Sequence, residues 1–127
     1  MEVIMKITTF NPLIISPNAE AVITLFEELG FEKRHAPIVD RGTGSVQRTR
    51  MKDSNGFCVD ISQVDSIPRD MTAMRMNVDS IDEAYALLTS RGFKLAPGTE
   101  EVNPKNARAM LLVSPSGFAI EIIEHIK

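Results

Sequence analysis

Ser114-Pro115-Ser116-Gly117-Phe118-Ala119-Ile120-Glu121-Ile122-Ile123-Glu124 repeats the order of an earlier stretch, Asp53-Ser54-Asn55-Gly56-Phe57-Cys58-Val59-Asp60-Ile61-Ser62. Both run through a polar turn, Gly-Phe, a small residue, a β-branched residue and a carboxylate, which sets Asp60 and Glu121 in register 61 residues apart. Gly30-Phe31 and Gly92-Phe93 form a second matched pair, 62 residues apart. At 127 residues the chain suits one ordinary domain and is too short for two independent ones. A repeat of about half that length therefore has to share a core, and the repeated unit is a half-domain.

Taken in order, Val3 to Ile15 is rich in β-branched residues and reads as a strand. Pro12 cannot donate to a sheet ladder, so it belongs near an edge or a bulge. Asn18 is a helix N-cap before Ala19 to Gly30, where Ala21, Val22, Leu25, Phe26 and Leu29 make an apolar stripe and Gly30 is the stop. Three strands follow, Phe31 to Val39, Ser45 to Met51 and Gly56 to Gln63. Their joints, Arg41-Gly42-Thr43-Gly44 and Asp53-Ser54-Asn55-Gly56, are turn sequences of the kind that connect antiparallel strands. Asp65 to Asp70 is a linker.

The pattern then restarts. Met71 to Asp79 is a strand, Ile81 to Arg91 a helix capped by Asp79 or Ser80, and Phe93 to Pro97 a short strand. Gly98 to Asn106 is a polar loop, and Arg108 to Val113 and Gly117 to Ile126 are the closing strands. The expectation is an α+β domain over residues 1–127, with one βαβββ repeat at about 1–64, a linker at 65–70 and a second repeat at about 71–127.

Composition narrows the function classes. Apolar residues at 43% and no run of about 18 of them argue for a soluble protein with no membrane partner. The first ten residues carry only Lys6 as a positive charge and lack signal-peptide segments, so a cytoplasmic address is expected. One cysteine, Cys58, excludes an internal disulfide and any multi-cysteine zinc site. A net charge of −3 without a basic cluster argues against a nucleic-acid partner. No P-loop, dinucleotide fingerprint or nucleophile elbow is present, and Gly42-Thr43-Gly44 alone does not make a phosphate loop.

The paired Leu29-Gly30-Phe31 and Arg91-Gly92-Phe93 helix ends, the passage Asn77-Val78-Asp79-Ser80-Ile81-Asp82, and the two Gly-Phe turns resemble the vicinal oxygen chelate superfamily. That group contains glyoxalase I, bleomycin-resistance proteins and extradiol dioxygenases. The resemblance covers nearly the whole chain. It implies two βαβββ modules forming a curved, cup-shaped mixed sheet with helices outside, a ligand or metal in the cup, and a homodimer. In the superfamily's enzymes a divalent ion is held by His or Gln on the first strand of each module and Glu on the last. With Leu13-Ile14-Ile15 and Met76-Asn77-Val78 as anchors, these positions fall on Phe10, Ala73, Asp60 and Glu121. A phenyl ring and a methyl group donate no lone pair, and two carboxylates suit Zn²⁺, Ni²⁺ or Fe²⁺ poorly, so no cofactor is expected. A register shift of one residue would bring Asn11, not a histidine, to the first position.

Strand alternation sets Ala119, Glu121 and Ile123 on one face and Phe118, Ile120 and Ile122 on the helix-packing face. Cys58, Asp60, Ala73, Arg75 and Asn77 fall on the cup face with Glu121. A buried carboxylate needs a partner, and Arg75 is the nearest candidate, with Arg48 or Arg50 beside it. Either these arginines merely neutralise Asp60 and Glu121, or they bind an anionic small molecule while a carboxylate serves as acceptor or general base. His35 reads as a solvated strand residue, and His125 as an exposed residue at the rim of the Glu121 face. The leading expectation is a metal-independent small-molecule-binding protein. The alternative is a lyase, isomerase or dioxygenase in which Asp60 and Glu121 hold a metal, and the remaining possibility is a vestigial cup whose sheet edges serve association.

Overall fold

The computed structural model describes residues 5–35, 38–41, 44–96, 101–103 and 107–125. The chain forms two compact units. The first comprises Asn11–Val39 and Ser45–Ala73, the second Met1–Phe10, Asp40–Gly44 and Met74–Lys127. Among the described residues no helix is long and apolar enough to cross a membrane.

In the first unit, strand β1 (Ile7–Ser16) leads into helix α1 (Ala19–Glu28). Strands β2 (Glu32–His35), β3 (Ile38–Arg41), β4 (Gly44–Lys52) and β5 (Cys58–Gln63) follow. The strand order is β2-β4-β5-β1, with β3 paired to β4 off this path. The β1–β5 pairing is parallel, whereas β4 runs antiparallel to both β2 and β5. The expected strand over Phe31 to Val39 is thus two shorter ones, β2 and β3, with Pro37 outside the described residues.

Asn18 caps α1 as expected, its Oδ1 accepting from Ala21 N at 3.4 Å. The buried stripe is rotated from the expected one. Ala19, Val22, Ile23 and Phe26 pack with Ile14, Phe31, Met51, Val59 and Ile61, while Leu25 and Leu29 stand exposed. The sequence places two apolar stripes on this helix, and only the tertiary contacts decide which one faces the sheet.

The second unit repeats the plan with strand β6 (Met71–Val78), helix α2 (Ile81–Ser90), and strands β7 (Lys94–Leu95), β8 (Glu101–Asn103), β9 (Ala107–Val113) and β10 (Ala119–His125). The order is β6-β10-β9-β7, with β8 paired to β9 off the path. The expected polar loop over Gly98 to Asn106 therefore contains a short strand, the counterpart of β3. Ser80, not Asp79, caps α2, through Glu83 N to Ser80 Oγ at 3.3 Å. Ile81, Ala84, Met76, Val78, Met110, Leu112 and Ile122 form the core under α2. The leading end of β1 runs along β6 in this unit, where Lys6 N donates to Asp79 Oδ1 at 2.7 Å and Thr8 Oγ1 to Asn77 O. The fold is thus α+β, with two helices and a mixed sheet in two βαβββ halves, each carrying one additional short strand.

The repeated turn is reproduced in its backbone bonds, Gly56 N to Asp53 O and Asp53 N to Phe57 O matching Gly117 N to Ser114 O and Ser114 N to Phe118 O, and in one of its two side-chain bonds. Asp53 Oδ1 accepts from Asn55 N and Phe57 N, and Ser114 Oγ accepts from Gly117 N and Phe118 N. Gly56 and Gly117 take φ of +90° and +112°, which their lack of a Cβ permits. Phe118 departs from its expected helix-packing role. It lies half exposed on the turn, edge-to-face with Phe93 at 5.5 Å.

Candidate functional site

Ladder register builds the face opposite α1 in the first unit. Antiparallel pairing sets Lys52 beside Cys58, Arg50 beside Asp60 and Arg48 beside Ser62, and parallel pairing sets Leu13 beside Asp60 and Ile15 beside Ser62. Cross-strand partners share a face, so three cations of β4 line up along one carboxylate of β5. Asp60 is 1% exposed and its carboxylate accepts three N–H bonds. Arg50 donates to it from Nε at 2.9 Å and Nη2 at 3.0 Å, and Asn11 Nδ2 from β1 at 3.0 Å. This is a bidentate fork closed by an amide. The hydrogen bond to Asp60 holds the Arg50 guanidinium above its ordinary pKa against the opposing effect of burial, with the charges of Asp60 and Cys58 adding to the rise.

In the second unit the corresponding face carries Arg75 and Asn77 from β6 and Ala119, Glu121 and Ile123 from β10, with Leu111 and Ala109 of β9 paired to Glu121 and Ile123. Glu121 is sealed, and Arg75 Nε stands 3.4 Å from its Oε1. This ion pair is longer than the Arg50–Asp60 fork.

The two halves solve one problem in opposite ways. Leu13 of β1 and Arg75 of β6 are equivalent positions at the 62-residue spacing, and Arg50 of β4 and Leu111 of β9 are equivalent positions at the 61-residue spacing. Beside Asp60 the guanidinium comes from β4 and the leucine from β1; beside Glu121 the guanidinium comes from β6 and the leucine from β9. Each carboxylate is met by an arginine, because an unpaired buried charge costs several kcal/mol.

The face assignments also correct the first-strand register. Phe10 is 59% exposed and makes no part of the Asp60 face, while Asn11 is buried and bonded to Asp60. Asn11 and Ala73 are therefore the equivalent pair, one residue from the sequence alignment. The 62-residue spacing of Asn18 to Ser80 and Gly30 to Gly92 was the available signal for this register. Ala73 and Arg48 are buried, Asn77 is partly buried, and Cys58 is a free, half-buried thiol. His125 is exposed, as expected, and the side chain of His35 lies outside the described residues. Lys52 and Ser62 were not singled out by sequence, although alternation from Asp60 and pairing across β4 assign both to this face.

A divalent metal fits these residues poorly. Asp60 is saturated by N–H donors, Ala73 offers no lone pair, and Asn11 directs its amide nitrogen at Asp60. Among the described residues no group of three or more His, Cys, Asp and Glu could hold a metal ion.

The chain has the fold of the vicinal oxygen chelate superfamily, as comparison with solved structures shows. Methylmalonyl-CoA epimerase from Mycobacterium tuberculosis superposes with a TM-score of 0.68 at 16% identity, over 100% of this chain and 94% of that one. A glyoxalase I variant from Zea mays gives 0.68 at 13% identity, over 94% of this chain and 44% of that longer one. The Streptomyces coelicolor epimerase in complex with 2-nitronate-propionyl-CoA gives 0.61 at 14% identity, over 96% and 100%. No protein-family model and no curated protein matches the chain. At these identities the likeness extends to the fold.

Proposed function

We propose that the chain is a metal-independent small-molecule-binding protein of the glyoxalase and bleomycin-resistance type, a single domain over residues 1–127 that works as a homodimer in the cytoplasm. One observation carries the reading. Asp60, at the end-strand position used for metal in the superfamily's enzymes, is occupied by Arg50 and Asn11. A carboxylate so engaged would have to shed three N–H bonds before it could ligate a cation, and bonds to a charged group are worth about 1.5–3 kcal/mol each. The exposed pair Leu25 and Leu29, on the last turn of α1 and at its C-cap, supports a partner copy on that helix.

The test is metal analysis of protein purified without chelator, together with melting curves with and without EDTA. Substoichiometric metal and an unchanged melting temperature are expected; one Zn, Ni, Mn or Fe per chain overturns the reading. Light scattering should give a dimer, reduced to monomer in L25K/L29K.

A lyase, isomerase or dioxygenase using Asp60 and Glu121 on a metal is the second reading, favoured by the epimerases and glyoxalase I that share the fold. It requires that E121Q abolish turnover of a small oxygenated substrate.

A further inference from the structure

The geometry points to a small-carboxylate subsite at the outer end of the Asp60 face, formed by Arg50 and Lys52 of β4 beside Cys58 of β5. It rests on the reading of the chain as a binding protein and names the chemical class that the protein would take.

Charge on this face is unbalanced. Among the described residues of the unit, Arg48, Arg50 and Lys52 share it with Asp60 and with Glu32, the partner of Lys52 across β2 and β4, whose carboxylate Arg34 meets at 3.6 Å. Asp60 satisfies only one edge of Arg50, the edge formed by Nε and Nη2. The Arg50 side chain is 31% exposed while its carboxylate partner is sealed, so the remaining N–H donors of the guanidinium are turned toward solvent. Lys52, two residues on along the same face, is exposed and makes no ion pair among the described residues. Its cross-strand neighbours are the small, half-buried Cys58 on β5 and Glu32 on β2.

Orientation makes this more than a surface patch. A free arginine loses side-chain entropy when it binds an anion, whereas Arg50 is already fixed by Asp60, so little further ordering is required. A guanidinium presenting a second planar edge matches a carboxylate, which can accept two parallel N–H bonds. Lys52 then supplies a movable point charge. Residues i and i+2 of a strand lie about 6.5–7 Å apart, so one carboxylate, or both ends of a short dicarboxylate, can be reached by Arg50 and Lys52 together. Asp60 acts as a positioning residue and excludes a second carboxylate from the buried side.

Malonate titration of the full chain, followed by ¹H–¹⁵N NMR at Arg50 Nε and at the Lys52 and Cys58 amides, tests this. Saturable shifts confined to these residues are expected, with no response to neutral malonamide and a weaker one to inorganic phosphate at equal ionic strength. R50K keeps the charge against Asp60 but loses the fork, and should weaken binding about tenfold. K52Q removes an exposed charge without touching the core, and should weaken it about threefold. An equal response to phosphate, or unchanged affinity in both variants, overturns the carboxylate subsite. Metal-free protein with no saturable malonate response also overturns it while leaving the binding-protein reading intact. A malonate response abolished by EDTA overturns both.

Discussion

Replacing Arg50 by methionine removes two N–H bonds to Asp60, a carboxylate that is 1% exposed and keeps the bond from Asn11. Breaking a buried pair from one side costs about 3–5 kcal/mol. The partial exposure of Arg50 lets water approach the vacated side, so we place the loss at the lower end, about 3 kcal/mol. D60L should cost less, because Arg50 can turn its freed edge to solvent. The double variant R50M/D60L, with neither charge buried, should return to within about 1 kcal/mol of the parent. Urea unfolding monitored by circular dichroism reads all three, and a common m-value is required for the comparison. For a chain of this length, 3 kcal/mol corresponds to a melting shift of roughly 10 °C. The natural precedent is Leu111, which occupies the equivalent position in the other half while Arg75 neutralises the carboxylate from the first strand. An R50M loss below about 1 kcal/mol, or a double variant as unstable as the sum of the singles, would refute the view that this fork balances a buried charge.

Three further outcomes follow from particular residues. Because Asp60 raises the pKa of Arg50, the stabilisation from that shift is present below the ordinary arginine value and is lost only as pH rises through the raised one. The stability gap between parent and R50M should therefore stay constant from about pH 6 to 10, and a gap that closes in that window in paired urea titrations contradicts it. Ser62 Oγ is sealed and has no hydrogen-bond partner among the described residues, so S62A should be neutral or raise stability by about 1 kcal/mol, read as the urea midpoint. Gly92 has φ of +89°, and a Cβ there would meet Pro115 Cγ at 2.9 Å, whereas a Cβ on Gly30 at φ of +103° meets nothing within 4 Å. Both alanine variants bear the backbone strain of about 1 kcal/mol, and G92A should lose measurably more than G30A in thermal melts.

The duplicated plan was legible because its signals are local. Polar turns before Gly-Phe, caps at Asn18 and Ser80, and glycines after each helix are chemical requirements of single turns, and each appears where expected. The faces of β5, β6 and β10 were equally legible, since alternation at period two separates Asp60, Arg75 and Glu121 from the helix-packing residues. The site was harder to read. Choosing Phe10 over Asn11 depended on aligning two hydrophobic runs by similarity, and a shift of one residue moves every side chain to the opposite face.

What the sequence by itself determined is the α+β repeat, the carboxylate at the end of each half, and the shortage of metal donors, all carried by residue type and spacing along the chain. Which arginine meets which carboxylate is a property of the ladder. Arg75 was the first candidate, with Arg48 or Arg50 beside it, until pairing set Arg50 beside Asp60, the side-chain contact set Arg75 at Glu121, and Leu13 and Leu111 filled the complementary positions. A one-dimensional pattern fixes the face of a strand, whereas cross-strand neighbours depend on register between distant segments, and that register is decided by the packing of the whole sheet.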